Sequence, residues 1–498
     1  MSPRPAADGV TIVRRIRTVL HRIPRAAWIC ALIAFLNAAC WSIITPPFQV
    51  PDEPAHFAYV QQLAENRTLP KSRNGAFSEE EEVALHDLRQ EEVQWHPESH
   101  TIATQAEQRR LEHDLAQPLP RSGPSDAGVA TSEPPLYYAL QTIPYLLGSG
   151  GNLLVRLELM RLLSALMAGL TALFVYLFVR EALPGASWAW AVGGLCIALA
   201  PLLGFMSGAV TPEGGLYAVS AAIFYLLARG FRRGLTPGLA VAIGVVIGIG
   251  MLTKINFVGL IPGVIVGLLV LAIRAARTSR RTACRSLALA AGIAASPVCL
   301  YVVSNLISNH PALGVISSGI NITSGRGPVL KEISYIWQSY LPRLPGMTNY
   351  FPGISTTIQM WFDRSVGFYG WNDTSFPVWV EQLALILAGL LAMLSVRALI
   401  MVRATLRHRL IELGVYAVMA VGLLALIGAS SYLVPEEAGT YSEPRYLLPL
   451  LSLLGAALVL GARGAGRRWG PAVGAVIVIL FLAHDVFSQL QVIARFYG

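Results

Sequence analysis

The sequence predicts an all-α membrane protein with about eleven transmembrane helices and two long external loops. Three observations carry that expectation. Hydrophobic residues make up 54% of the 498-residue chain and charged residues only 13%, with a mean hydropathy of +0.54, whereas soluble domains carry roughly 25% charge. Apolar stretches long enough to cross a ~30 Å hydrocarbon core recur along the whole chain. Arginine gathers in every second connection between them. The 45 glycines and 31 prolines do not signal disorder or a collagen-like repeat, because the apolar fraction is far too high for either.

The elements follow in order. A basic tail, 1–25, precedes a first span at 26–45. An external loop occupies 46–156. Spans two to seven lie within 157–307, at 157–179, 187–208, 214–229, 236–253, 256–273 and 286–307. A second large external loop runs over 308–376, and spans eight to eleven lie within 377–498, at 377–396, 411–433, 446–462 and 471–490. No small-x-small cleavage site follows the first stretch, so it is expected to remain as an anchor. Arg14, Arg15, Arg17, Arg22 and Arg25 in the tail, then Arg180, Arg232, Arg233, Arg277, Arg281, Arg403, Arg407 and Arg467 in alternate connections, predict a cytoplasmic N-terminus and an external C-terminus. The net charge of +9 therefore marks one face of a membrane, and nucleic acid is not an expected partner. Cys30, Cys40, Cys196, Cys284 and Cys299 show neither CxxC nor metal spacing, and read as small core residues.

Within the first external loop, Ser78 and Glu81 form a capping-box pattern that predicts a helix to about Gln94. A second short helix is expected over 103–115, and the Pro/Gly/Ser-rich 116–131 reads as mobile. The aromatic stretch 133–148 is too short to span and is broken by Pro134, Pro135 and Pro144. It is expected to be an interfacial or re-entrant helix with Tyr137, Tyr138 and Tyr145 at headgroup depth.

Chemistry concentrates at the predicted outer ends of the spans. Asp52 and Glu53 are adjacent carboxylates directly after the first span, followed by Pro54, which suits the first turn of a helix. One reading makes Asp52 a helix N-cap; the other makes it a base placed beside a lipid-borne substrate. His56 lies one turn on, at i, i+4 from Asp52, where phosphate contact, metal ligation and a structural role all stay open. Arg445 and Lys254 are the candidate phosphate cations: a guanidinium grips phosphate with two hydrogen bonds, and a lysine interrupting an apolar hairpin is a site by default. Arg161 starts the second span, with Arg156 and Glu158 beside it, and reads as a phosphate contact or an internal ion pair. Glu213, after Pro212 in an outer turn, reads either as facing the same cavity or as a plain turn residue. Tyr369, Trp371, Asn372 and Asp373 in the second loop offer aromatic faces and polar groups for a sugar, or else an interfacial aromatic belt.

The blocks PPFQVPDEPAHF (46–57), EPPLYY (133–138), FYGWND (368–373) and SEPRYLLP (442–449) resemble the motifs of a bacterial family of multipass membrane proteins with a PDExxH signature. More broadly, the chain resembles the GT-C glycosyltransferases, multispan enzymes that use polyprenyl-phosphate sugars. The resemblance implies a GT-C-like fold and sugar transfer on the outer face of the plasma membrane, from a polyprenyl-phosphate donor to a glycan, lipid or protein acceptor. It further implies Asp52 as the general base, with Glu53 orienting the acceptor or binding a divalent cation. Donor phosphate contacts fall to Lys254, Arg445, His56 and Arg161, and substrate contacts to Glu213, Tyr138, Tyr369, Trp371, Asn372 and Asp373. Any metal would sit on Asp52, Glu53 and His56; the cofactor is otherwise open. The rival functions are an envelope-lipid transporter or flippase, which all-helical architecture also fits, and an O-antigen-ligase-like enzyme with its key residues in the second loop.

Cysteine-accessibility labelling checks the sidedness: a cysteine introduced at position 120 is expected to react from outside only, and one at 465 from inside only. Labelling of both from one side overturns the orientation.

Overall fold

The computed structural model describes residues 23–70, 77–102, 104–122, 127–307, 329–351, 353–433 and 443–498. The basic tail up to residue 22 and the first part of the second large loop, 308–328, lie outside the described residues. Every one of the eleven expected apolar stretches is helical. Among the described residues nine helices are long and apolar enough to cross a membrane. α7 (Ser187–Ala198) and α8 (Pro201–Ser207) are long and apolar enough only as a pair, which makes a tenth span if the two count as one, and they meet at 52°, where Pro201 cannot donate into the preceding turn. The eleventh stretch, α10 (Pro237–Thr253), has 17 residues.

The first span, α1 (Arg25–Ile44), packs on the long α6 (Leu153–Ala182), and α6 in turn packs on α9 (Glu213–Arg233). A second group joins α10 to α12 (Arg280–Ile307), and α11 (Ile261–Ala276) to α15 (Leu410–Leu433). A third packs α14 (Val378–Met401) on α16 (Leu451–Gly464), which also meets α17 (Gly466–Tyr497) and α7. In lipid no hydrophobic gain draws one helix to another, so close backbone approach through small residues does the work. A Cβ on Gly422 of α15 would lie 2.3 Å from the Gly259 carbonyl oxygen, and one on Gly244 of α10 would lie 2.7 Å from that of Ala290 on α12.

The expected inner ends meet one another. Glu181 takes Arg232 at 3.1 Å and Arg233 at 2.6 Å, and Arg409 pairs with Glu412 at 2.7 Å while donating to the Ala182 carbonyl. The first loop folds over the other end as α2 (Glu53–Gln61), α3 (Glu79–Asp87), α4 (Gln105–Asp114) and α5 (Leu136–Leu147). Ser78 caps α3 as expected, but α3 does not reach Gln94. It stops near Leu88 because Arg89 adopts a left-handed φ of 56°, and a separate turn, Gln90–Val93, follows. α4 carries a full capping box between Thr104 and Glu107. Part of 116–131, at 123–126, lies outside the described residues; Ala127 and Ala130 are buried. α5 has an exposed apolar face of Leu140, Ile143, Leu146 and Leu147, as an interfacial helix requires. Its tyrosines, however, point inward: Tyr137, Tyr138 and Tyr145 are fully buried with Phe48, Phe57 and Leu157 instead of facing outward. Of the cysteines, Cys30 and Cys196 are core residues as expected, whereas Cys40, Cys284 and Cys299 are exposed on the outer faces of α1 and α12.

Arg161 of α6 ties these parts together. Its guanidinium donates to Glu53 at 2.8 and 2.7 Å, to the Ser42 and Thr45 carbonyls at 2.8 and 2.9 Å, and to the Pro46 carbonyl at 3.0 Å. All five guanidinium donors are thereby used, and three of them serve carbonyls at and beyond the C-terminal end of α1, where a helix leaves acceptors unpaired. Glu53 also accepts from the Phe48 amide at 3.0 Å and the Val210 amide at 2.9 Å. Both side chains are 0% exposed.

Removing one partner of such a pair leaves a buried charge unpaired, at a cost of ~3–5 kcal/mol. Glu53→Gln is therefore expected to lower the melting temperature and the yield of folded protein sharply, measured by thermal unfolding in detergent. A wild-type melting curve for this variant refutes the keystone role.

Candidate active site

Four helix N-termini converge at one end of the bundle, and each brings a carboxylate adjoining or one residue from a proline. Asp52 precedes α2 and Pro54; Glu133 precedes Pro134 and α5; Glu213 follows Pro212 as the first residue of α9; Glu443 precedes Pro444 and a 3-10 segment, Pro444–Leu450, that leads into α16. Proline fits the first turn because that amide has no helical partner, and the positive helix end favours a carboxylate. Lys254 arrives differently, as an extended residue between α10 and a 3-10 turn, Ile255–Leu260.

Two buried cations are clasped by these four acids. Lys254 Nζ lies 2.9 Å from Glu133 and 3.1 Å from Glu213. Arg445 Nη2 lies 3.1 Å from Asp52 Oδ2, and its Nε pairs with Glu443. Asn372 donates to the other oxygen of Glu443 at 3.1 Å. Glu213, Lys254, Asp52 and Arg445 all act electrostatically on His56, which makes one cluster of the two clasps. Burial pushes the Glu443 carboxyl above the usual carboxylate range, with Asp52 and Glu213 adding to the rise against the pull of Arg445. One Glu213 oxygen, Oε2, is buried without a hydrogen-bond partner among the described residues.

Asp52 is the accessible member. Its side chain is 31% exposed, against 6% for Arg445 and 7% for Lys254. It occupies the N-cap position of α2, yet it has a left-handed φ of 66° and its carboxylate caps no amide. The capping reading is therefore replaced: Asp52 turns to Arg445. A crevice of about 10 Å³, lined by Pro51, Phe205, Asn372, Glu443 and Arg445 among others, has room for about one water.

Several expected site residues take other positions. Glu53 and Arg161 saturate one another, so neither has a donor or acceptor left for substrate. His56 is 4% exposed and shares a 2.8 Å hydrogen bond between Nδ1 and the Tyr138 hydroxyl. Burial lowers its pKa to about 4, and a neutral imidazole supplies no charge to a phosphate. Asp52, Glu53 and His56 consequently do not form a metal trio: they face Arg445, Arg161 and Tyr138 respectively, and no group of three or more metal-ligating side chains occurs among the described residues. Tyr138 is buried and stacked on Tyr59 at 3.8 Å, behind His56. Tyr369 is buried between Trp41 and Phe205 and bonds Ser488 at 2.8 Å. Asp373 pairs with Arg495 at 3.0 Å. Trp371 donates to the Phe48 carbonyl at 3.2 Å, bracing the first loop against the second. Of that motif Asn372, at a left-handed φ of 62°, lines the crevice together with Phe368. Arg156 pairs with Glu80 of α3, while Glu158 makes the expected internal ion pair with Arg161, at 3.3 Å. Sequence reasoning passed over Glu133 and Glu443, although both lie in quoted motifs; the acid-proline pairs at helix starts were the signal available.

The fold and the site define a multispan membrane protein with a charged, buried cluster at one end of its helices. The chain belongs to the family described as predicted membrane protein (DUF2142), whose model matches residues 35–454 and so contains every member of the cluster. No curated protein and no solved structure matches it.

His56 generates a pH prediction. A histidine near 6.5 when unfolded and near 4 when folded takes up its proton first in the unfolded chain, so stability falls as pH drops from about 6.5 to about 4. The loss is on the order of 3 kcal/mol. Melting curves across that window should decline less for His56→Gln than for the wild type; equal declines remove His56 as the cause.

Proposed function

We propose that the protein is a glycosyltransferase of GT-C type that moves a sugar from a polyprenyl-phosphate donor to a cell-envelope acceptor, with Asp52 as general base. The observation that carries this reading is the Asp52–Arg445 contact: a partly exposed carboxylate, without a capping role, held 3.1 Å from a buried guanidinium. A sugar hydroxyl is a poor nucleophile until a positioned base accepts its proton. A guanidinium suits the phosphate that departs, because it keeps its charge and offers paired donors.

In this reading the acceptor hydroxyl gives its proton to Asp52 and its oxygen forms the new bond to the anomeric carbon. The bond from that carbon to the phosphate oxygen breaks, and the lipid phosphate leaves with the electron pair. Arg445 and Lys254 exchange part of their carboxylate partners for phosphate oxygens. Four carboxylates against two cations make a poor anion site as they stand, and burial shifts Glu443 upward, in the direction that eases that imbalance. In this reading Glu213, one oxygen of which has no hydrogen-bond partner among the described residues, accepts from sugar hydroxyls and Asn372 donates to them. The outward orientation of this end rests on the arginine alternation along the chain.

Asp52→Asn keeps volume and shape while removing the proton acceptor. Transfer of labelled sugar from a polyprenyl-phosphate hexose by membranes carrying this variant is expected to fall by about 10²–10⁴-fold, with melting unchanged. Full transfer by folded Asp52→Asn protein rejects the base and favours the transporter or O-antigen-ligase-like alternatives.

A further inference from the structure

The second loop holds a larger cavity that the charged cluster does not use. It measures about 330 Å³ and is lined by Leu341, Arg343, Asn349, Phe351, Ile354 and Thr357 among others, a volume at the lower end of small-molecule sites. Its roof is α13 (Val329–Gln338), whose amphipathicity is inverted relative to a soluble helix. The polar Ser334 and Gln338 are buried, with Gln338 bonding Ser334 at 3.0 Å and the Thr348 carbonyl at 2.6 Å. Tyr335 packs inward on Tyr350, Phe351 and Tyr432. Val329, Leu330, Ile333 and Trp337 point outward, and Leu341, Leu344 and Ile354 extend the exposed apolar strip to the mouth of the cavity. In water such a strip would be left unburied; against acyl chains it is solvated, with the tryptophan at the interface where its ring is favoured.

Arg343 stands at that mouth, exposed and without an ion pair or hydrogen bond among the described residues. A cation with no partner among the described residues, set beside an apolar strip, is complementary to a lipid whose headgroup is anionic. We propose that this cavity binds the headgroup of one anionic phospholipid, its phosphate on Arg343 and its chains along the strip from Leu330 to Ile354. The position has a structural consequence. Trp361 donates to the Ser339 carbonyl at 2.6 Å, and the turn Gln359–Asp363 that carries it packs on the Pro444–Leu450 segment bearing Arg445. A lipid in the cavity thus braces the wall that presents the cluster's guanidinium. The inference does not rest on sugar transfer.

Native mass spectrometry of the full-length protein in detergent tests it, with phosphatidylglycerol as probe and phosphatidylcholine of the same chains as comparison. The wild type is expected to retain one phosphatidylglycerol in preference to phosphatidylcholine, and Arg343→Gln to reduce that preference roughly fivefold. Arg343→Lys is expected to keep most of it, and Ile333→Ser to weaken both lipids alike. Inorganic phosphate in excess should leave the lipid in place. An unchanged preference in Arg343→Gln, or displacement by inorganic phosphate, overturns the proposal. The same measurement on Asp52→Asn protein is expected to match the wild type, which separates failure here from failure of the transfer reading.

Discussion

The buried pair of Arg161 and Glu53 is the constraint on which the end of the molecule that carries the charged cluster depends. Neither ion is tolerable alone in a dry interior, and the pair is tolerable because every donor and acceptor on it is used. In satisfying Arg161, the chain ends α1, turns at Pro46 and returns Glu53 to the same place. In satisfying Glu53, it draws in the Phe48 amide and the Val210 amide of the turn that precedes Glu213. One ion pair thus sets the register of the first span, the loop after it, α6 and the start of α9. Asp52, the neighbour of Glu53, is placed by that lock and held in a left-handed conformation that few non-glycine residues adopt.

Around this lock, prolines and helix starts organise the reactive groups. A carboxylate at a helix N-terminus gains from the dipole without being neutralised by it, so four such ends can bring four acids together while the helices themselves diverge into the bundle. Lys254 and Arg445 then hold the acids apart. The result is a cluster in which each cation is shared, and a shared cation is one that a ligand can recruit by replacing a single partner instead of an entire coordination shell.

The membrane appears in the structure as the solvent that explains otherwise inverted surfaces. Leucine, isoleucine and tryptophan face outward on α5 and α13, while serine, glutamine and tyrosine turn in. Tight glycine contacts between helices serve the same environment, since packing and not water release draws those helices together.

Hydropathy and arginine spacing alone determined the helical class and the positions of all eleven apolar segments, because lipid requires every spanning backbone to satisfy its own hydrogen bonds and punishes charge within the span. The sequence also singled out Asp52, Lys254, Arg445 and Glu213, since charges beside apolar runs stand out by type. What it did not determine was which charge meets which. Asp52 and Glu53 are adjacent and chemically alike, yet one is sealed by Arg161 from a helix 108 residues away and the other is left at the surface of the cluster. Tyr369, Asp373 and Glu443 were separated in the same way, the first two into the core and the third into the site. Partner choice at such separations is settled by how helices pack, and packing depends on shape and burial across the whole bundle, which no local pattern of residues encodes.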